Sequence, residues 1–225
     1  MSNVTNLNRD TTTQLALFDM DGTLLDLAFD HYIWMQRVPE IWAQQNNCDL
    51  ATAQQRLHEF YLANEGQLHW YSSKYWQQQL GVDVIALQTQ HQDRITPRPH
   101  CFALLEQLKV NNIECWLVTN ADEATLDLKL KKIALRPYFK HIISSETLGF
   151  AKEQQGFWQT LNTLHPFRAE NSVLIDDNYH VLASGQKFGI GKLISILQPA
   201  SSYKRQSIDP RFVHLEHLTD LIPLL

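Results

Sequence analysis

Cysteine is scarce in this sequence, and long apolar runs are lacking. The 225 residues include three cysteines, Cys48, Cys101 and Cys115, which lie far apart and form no C-x-x-C pair. Neither a disulfide framework nor a cysteine-rich zinc site is expected. No apolar run approaches the ~20 residues of a membrane span, and residues 1–14 are polar, unlike a secretory signal. We expect a soluble protein with no membrane partner, in a reducing cytoplasm.

Basic charge is also in deficit, with 19 Lys and Arg against 24 Asp and Glu and a formal net charge of −5. This balance disfavours extended contact with a nucleic-acid polymer or an anionic membrane. The ten histidines form no H-x-x-H-type pair, so no zinc or iron site is expected. Glycine and proline number only eight each while 44% of residues are hydrophobic, which excludes a disordered chain. The length fits one domain with a modest insertion.

Short apolar runs predict the fold class. They are Leu15–Phe18, Ile113–Val118, Ser172–Ile175 and Lys192–Leu197, and helix-like sequence precedes the last three. Such runs are typical of strands buried on both faces of a parallel sheet. The alternation of these runs with helical patterns predicts an α/β fold.

Residues 26–94 differ in composition, being rich in Gln, Trp, Tyr and His, and show no strand pattern. Asp49 is a candidate helix N-cap, and Gly81 is placed to end a helix. We predict an all-helical subdomain here, inserted into an α/β core formed by residues 1–25 and 95–225.

Two aspartates two residues apart follow the first apolar run, in Asp19-Met20-Asp21-Gly22-Thr23. The C-terminal edge of a parallel sheet is the usual ligand crevice of such folds. Gly22 permits a sharp turn that brings backbone N–H groups toward an anion. A lone D-x-D-G is equally typical of an ordinary turn, and the spacing does not fit an EF-hand.

Three later segments extend this pattern. Thr119 and Asn120 follow the second apolar run and offer a hydroxyl and amides suited to a phosphate oxygen. Lys152 stands at the start of a predicted helix, where it could neutralise a phosphoryl group, and Asp176 and Asp177 follow the third run and could complete a Mg²⁺ site. Each segment alone is typical of a turn, a solvated lysine or a helix N-cap. Their order, with three at strand ends, favours one shared site.

These four motifs resemble those of the haloacid dehalogenase superfamily of phosphohydrolases, in order and with a gap after the first that fits a helical cap. The resemblance extends from about Leu15 to Leu197, and it implies a Rossmann-type parallel sheet with an inserted cap. Similarity to the bacterial GMP/IMP nucleotidase branch is carried by Leu24–Asp30, Leu68–Tyr71 and Gly149–Glu153. Ala151 departs from the proline expected in that branch.

The resemblance implies a mechanism. Asp19 would attack phosphorus to form an aspartyl-phosphate, and Asp21 would act as general acid and then as base. Mg²⁺ would be held by the Asp19 side chain, the Asp21 backbone carbonyl and Asp176, with Asp177 binding directly or through water.

The same resemblance implies how the substrate is held. Thr119, the Asn120 amide and Lys152 would bind the phosphate oxygens. The expected partners are small nucleotides, chiefly GMP and IMP. Selection of the base would fall to the cap, where Trp70 and Tyr71 are candidates to contact a purine, although aromatic residues in a small helical unit more often pack its core.

Other functions stay open at this point. Within the fold, a broad sugar-phosphate phosphatase or a phosphomutase would use the same motifs. Dehalogenase chemistry is disfavoured because it lacks the second acid that Asp21 supplies. A non-catalytic, receiver-like module with an acidic Mg²⁺ pocket is disfavoured because binding alone does not require a general acid.

Overall fold

A sheet of parallel strands forms the centre of the computed structural model, which describes residues 15–203, 205 and 207–225. The polar segment 1–14 noted in the sequence lies outside the described residues. In this part of the chain the strands are β1 (Leu15–Phe18), β2 (Glu114–Thr119), β3 (His141–Ser144), β4 (Ser172–Asp176), β5 (Lys192–Ile196) and β6 (Val213–Leu215). Their order across the sheet is β3-β2-β1-β4-β5-β6, and every neighbouring pair is parallel. The predicted α/β class is confirmed.

Four of these strands agree with the predicted apolar runs to within one residue at either end, whereas β3 and β6 were not predicted. Both lie at edges of the sheet. In β3 the first two residues are only half-buried, and in β6 Val213 is exposed. An edge strand is covered incompletely, so it lacks the continuous apolar run by which a central strand is recognised.

The helices alternate with the strands after residue 100. Before that point they are α1 (Ala28–Tyr32), α2 (Val38–Gln45), α3 (Leu50–Asn64), α4 (Ser73–Leu80) and α5 (Val84–Gln90), with a π-helical turn at Ile33–Arg37 and 3₁₀ turns at Leu68–Tyr71 and Gln92–Arg94. After it come α6 (Cys101–Val110), α7 (Glu123–Lys132), α8 (Ser145–Leu148), α9 (Gln155–Leu164) and α10 (Tyr179–Phe188), with 3₁₀ turns at Arg136–Tyr138, Ala169–Asn171 and Leu218–Leu224. None of these helices is long and apolar enough to cross a membrane.

Strand β1 shows how the sheet divides the core into two layers. Ala16 and Phe18 pack into the layer that contains α6 and α7, while Leu15 and Leu17 pack into the layer that contains α9 and α10. Successive side chains of a strand point to opposite faces, so an unbroken apolar run is needed where both faces are covered. The acidic motif that follows β1 is thereby fixed at the C-terminal edge of the sheet.

The segment from α1 to α5 leaves the core and returns to it at neighbouring points. The Asp26 N–H donates to the Thr96 carbonyl at 3.0 Å, and Leu25 forms an antiparallel bridge with Pro97. The division at residues 26–94 stays a prediction, and these two crossings lie at its ends. We call the helical segment between them the cap.

Aromatic side chains form the centre of the cap. Trp76 is almost completely buried. Its ring lies edge-on to those of Trp34, Phe60, Tyr61 and Tyr75, with centroids 5.0 to 6.0 Å apart. Such pairs add specific geometry to the apolar area that they bury. These rings pack in the same apolar cluster as β1 and α6, so the core of the cap is continuous with one layer of the sheet core.

Local signals set the helix ends in the cap. The Asp49 carboxylate accepts the Thr52 N–H at 2.8 Å at the start of α3, which confirms it as an N-cap. Gly81 follows α4 with φ of 69°, in the left-handed region that glycine enters without a steric penalty. Both positions were predicted from the sequence.

Candidate active site

The loop after β1 is shaped by Gly22. Its φ is +83°, and a Cβ there would lie 2.7 Å from the carboxyl group of Asp177. The turn is closed by hydrogen bonds from the Leu24 and Leu25 N–H groups to the Met20 carbonyl, at 2.9 and 2.8 Å. Only glycine meets both requirements at this position, because any side chain would strain the backbone and displace Asp177. The turn thus brings the first motif against the fourth.

Lys152 lies between two of the predicted aspartates. Its Nζ is 2.5 Å from Asp19 Oδ1 and 2.7 Å from Asp176 Oδ2, and it donates to the Val118 carbonyl at 3.1 Å. All three charged side chains are buried. Burial lowers the pKa of Lys152, but the carboxylates of Asp176 and Asp19 outweigh it and raise that pKa. The lysine is held as a cation at the C-terminal edge of the sheet.

Three carboxylates form the only candidate metal cluster found among the described residues. Asp19, Asp176 and Asp177 each offer an oxygen, and these oxygens lie within 4.8 Å of one another. Burial, against the effect of Lys152, raises the pKa of Asp19 well above its ordinary value, and Asp176 and Asp177 raise it further. Burial, together with Asp176, likewise raises the pKa of Asp177 to about 7. Hard oxygen ligands carrying excess negative charge fit a divalent cation such as Mg²⁺.

Thr119 and Asn120 end β2 beside this cluster. Thr119 is buried, and its hydroxyl accepts the Ala121 N–H at 3.0 Å. The Asn120 side chain accepts the Lys152 N–H at 2.9 Å and donates to Glu153 at 3.0 Å. Asn120 therefore fixes the loop that carries the lysine.

The local structure at Lys152 differs from the expectation that it begins a helix. Helix α9 begins at Gln155, and Gln154 has an extended backbone. Lys152 lies on the preceding turn, which is closed by a 2.9 Å hydrogen bond from the Gln154 N–H to the Ala151 carbonyl. The bond to Asn120 holds the lysine backbone in this turn, so its side chain reaches back across the sheet edge.

The two cap candidates are tied by different contacts. The Trp70 indole N–H donates to the Tyr61 carbonyl within the cap at 3.1 Å. The Tyr71 hydroxyl crosses to the core and donates to Glu153 Oε1 at 2.5 Å. Burial, with the charge of Glu153, raises the pKa of Tyr71, so the hydroxyl stays a donor.

A second contact joins the cap to the core at the start of α7. The Ser73 N–H donates to Asp122 Oδ2 at 2.6 Å, and the Ser73 hydroxyl binds the same oxygen. The other oxygen of Asp122 accepts the Thr125 N–H at 2.8 Å and caps α7. The buried Asp122 carboxylate thus caps the N-terminus of a core helix and also binds the cap through Ser73.

Between cap and core lies a cavity of about 340 Å³. All nine sequence-predicted site residues line it. We call the residues of the four motifs at the C-terminal edge of the sheet the floor: Asp19, Asp21, Thr119, Asn120, Lys152, Asp176 and Asp177. We call the aromatic residues that the cap contributes the cap wall: His31, Trp34, Tyr61, Trp70, Tyr71 and Trp76. A charged floor faces an aromatic wall across this space.

Sequence reasoning missed the pair Lys129 and Asp30, which lies at this cavity. The Nζ of Lys129 lies 2.8 Å from Asp21 Oδ1 and 2.7 Å from Asp30 Oδ1. Lys129 sits in a lysine-rich helix end that resembles a solvated surface. The sequence did contain a signal for burial, because the spacing of Leu126, Lys129 and Leu130 puts them on one face of a helix. The structure buries all three.

The fold, the four motifs and the sequence profile all indicate one family of hydrolases. The sequence profile of the haloacid dehalogenase-like hydrolases matches residues 16–194. The chain belongs to this family and is an enzyme, as its four motifs predict.

Two relatives of known activity are similar to this chain in sequence. The chain is 34% identical to the GMP/IMP nucleotidase YrfG of Escherichia coli (strain K12) over 209 residues, which cover 93% of this chain and 94% of that protein. It is 24% identical to the pyrophosphatase PpaX of Oceanobacillus iheyensis over 140 residues, covering 60% and 63% of the two chains.

Solved structures share the fold. A HAD phosphatase from Thermococcus onnurineus superposes with a TM-score of 0.79 at 16% identity, covering 94% of this chain and 97% of that one. The magnesium-bound HAD-hydrolase YfnB of Bacillus subtilis gives a TM-score of 0.65 at 20% identity, covering 95% and 98%. At these identities the likeness concerns the fold alone.

Proposed function

We propose that this protein is a Mg²⁺-dependent phosphatase that hydrolyses purine nucleoside 5′-monophosphates, chiefly GMP and IMP, in the cytoplasm. The observation that carries the proposal is the buried Asp19–Lys152–Asp176 cluster on the floor of a cavity with an aromatic cap wall. The floor suits a phosphate group, and the cap wall suits a flat base. The similarity to a curated GMP/IMP nucleotidase over nearly the whole chain supports this substrate class.

In the first step, Asp19 attacks phosphorus. The bond between phosphorus and the 5′-oxygen breaks, and Asp21 gives its proton to the departing oxygen. The nucleoside leaves, and the phosphoryl group stays on Asp19 as an aspartyl-phosphate. Lys152 and the Thr119 hydroxyl offset the charge on the phosphoryl oxygens, in a site where burial strengthens such interactions.

In the second step, the Asp21 carboxylate takes a proton from water, whose oxygen attacks the aspartyl-phosphate. Phosphate is released and Asp19 is restored as a carboxylate. A phosphomutase would instead return the phosphoryl group to substrate, so free phosphate separates the two reactions.

Asp19, Asp176 and Asp177 would hold Mg²⁺, with the Asp21 carbonyl as a further ligand. When bound, the ion would offset the negative charge that the phosphate and these carboxylates share. Burial, against the effect of Lys152, raises the pKa of each of the three side chains.

Base selection is assigned to the cap wall. Trp70 and Tyr71 line the cavity, and hydrogen bonds from their side chains to Tyr61 and Glu153 restrict the orientation of both rings. A fixed aromatic face favours stacking of a purine at low cost in side-chain entropy.

The test is a phosphate-release screen over nucleoside 5′-monophosphates and sugar phosphates, with Mg²⁺ and with a chelator. We expect the highest kcat/KM for GMP and IMP and no turnover in the chelator. Higher values for sugar phosphates would overturn the substrate assignment, and phosphoryl transfer without free phosphate would favour a mutase. Asp93→Asn is the matched control, because Asp93 is an exposed aspartate far from the floor motifs in sequence.

A further inference from the structure

The amino group of Lys129 is buried between two carboxylates at the edge of the cavity. Its side chain is 1% exposed, and those of Asp21 and Asp30 are 18% and 17% exposed. The Nζ lies 2.8 Å from Asp21 Oδ1 and 2.7 Å from Asp30 Oδ1. Neither Lys129 nor Asp30 has a part in the two chemical steps described above.

A buried ammonium group in this position requires an explanation. Its neighbours on α7, Leu126 and Leu130, are buried leucines, and an apolar residue would continue their face. Desolvation disfavours a buried charge unless partners compensate it. Burial lowers the pKa of Lys129, but Asp21 and Asp30 outweigh it and raise that pKa, so the side chain stays charged.

The three groups come from three different parts of the molecule. Asp21 belongs to the loop after β1, Asp30 to the first cap helix, and Lys129 to core helix α7. Lys129 therefore connects the motif loop to the cap through one amino group. Asp30 accepts a 2.7 Å hydrogen bond from the lysine and balances its charge.

We infer that Lys129, anchored by Asp30, is a positioning residue that holds the Asp21 carboxyl group in place for proton transfer to the leaving group. This inference rests on the proposed function, in which Asp21 is the general acid. When the P–O bond breaks, the proton of Asp21 passes to the departing oxygen, and the resulting carboxylate stays beside the ammonium group. Lys129 keeps all its protons throughout. A general acid is effective only within hydrogen-bond reach of the atom that it protonates.

The test compares two leaving groups in the first turnover of Lys129→Met. The nucleoside 5′-oxygen needs a proton as it departs from GMP, whereas nitrophenolate departs from p-nitrophenyl phosphate without one. We expect guanosine formation to slow by about 10- to 100-fold, a part of the ~10² to 10⁴ that general acid catalysis supplies. The burst of nitrophenolate should stay within about 3-fold of the wild-type rate, because that step does not use the acid.

Two further variants separate positioning from folding. Lys129→Met leaves both Asp21 and Asp30 without their cation, whereas Lys129→Met with Asp30→Asn keeps the net charge of the wild type. The double variant should show the same leaving-group difference. Lys132→Met removes a charge from the same helix, where Lys132 pairs with the exposed Asp93, and should leave both rates unchanged.

An equal loss on both esters, or no loss on GMP, would show that Lys129 has only a structural role and would overturn the inference. Such a result leaves the proposed function intact. A wild-type enzyme that prefers a sugar phosphate would overturn the nucleotide assignment alone, and the same comparison would then use that ester. A wild-type enzyme that cleaves neither ester would overturn both.

Discussion

The floor and the cap wall of the cavity are built in opposite ways. The floor is a set of charged and polar side chains at the C-terminal edge of the sheet, most of which directly follow the neighbouring strands β1, β2 and β4. The cap wall is aromatic, and its residues come from short helices and turns whose apolar side chains join one layer of the sheet core. A phosphate ester of any kind presents the same group to the floor, while its other half meets the cap. Chemistry should therefore depend on the floor for every substrate, and selection among substrates on the cap.

The largest effect should follow a change to the floor. We expect Asp19→Asn to lower kcat/KM by ~10⁴-fold or more for nucleotides, sugar phosphates and p-nitrophenyl phosphate alike, because an amide is no nucleophile. Phosphate release and ³²P-labelling of the protein measure this. Residual turnover above about 1%, or label on the variant, would contradict the assignment of the nucleophile.

The floor was predictable from the sequence for a physical reason. Three of its four motifs directly follow a predicted apolar run, and parallel strands bring their C-terminal ends to one edge, so chain order sufficed to place Asp19, Thr119 and Asp176 together. The contacts of Lys129 with Asp30 and of Tyr71 with Glu153 were not predictable. They join residues 99 and 82 positions apart, and helix packing, which no local pattern encodes, determines them.

The next effect concerns the turn that brings the first motif against Asp177. We expect Gly22→Ala to lower the free energy of unfolding by about 3 kcal/mol, of which about 1 kcal/mol comes from the positive φ and the rest from the contact with Asp177. Denaturant unfolding measures it. Gly66→Ala is the matched control, because Gly66 has a φ of +77° but nothing within 4 Å of the added Cβ.

The control should lose only the backbone part, about 1 kcal/mol. If both variants lost the same amount, the close approach to Asp177 would have no energetic weight, and the packing of the two motifs would need another explanation.

A third expectation concerns pH. Burial raises the pKa of Asp177 to about 7, above the 3.8 of an ordinary aspartate, so between these values the folded protein binds a proton that the unfolded chain does not. Metal-free stability should then fall as pH rises from about 5.5 to 8, by about 2 kcal/mol. Thermal unfolding across this range measures the slope.

Mg²⁺ competes with these protons for the carboxylates, so it should raise Tm more at pH 8 than at pH 5.5. Asp177→Asn should flatten the slope of the metal-free protein. A stability that rose with pH instead would mean that burial does not raise the pKa of Asp177 in the folded protein.

The smallest effect should come from the cap. Tyr71→Phe removes the hydroxyl that joins the cap to Glu153, and we expect KM for GMP to rise about 5-fold, equivalent to about 1 kcal/mol, with the nitrophenolate burst unchanged. Tyr75→Phe is the control, because the Tyr75 hydroxyl bonds to Asn64 within the cap and does not cross to the core.

A loss of kcat on every ester would mean that Tyr71 takes part in the chemistry at the floor. Equal effects of the two tyrosine variants would mean that the bond between Tyr71 and Glu153 adds nothing to nucleotide binding. If the cap selects substrates by aromatic contact, neither tyrosine variant should change kcat, and only Tyr71→Phe should raise KM for GMP.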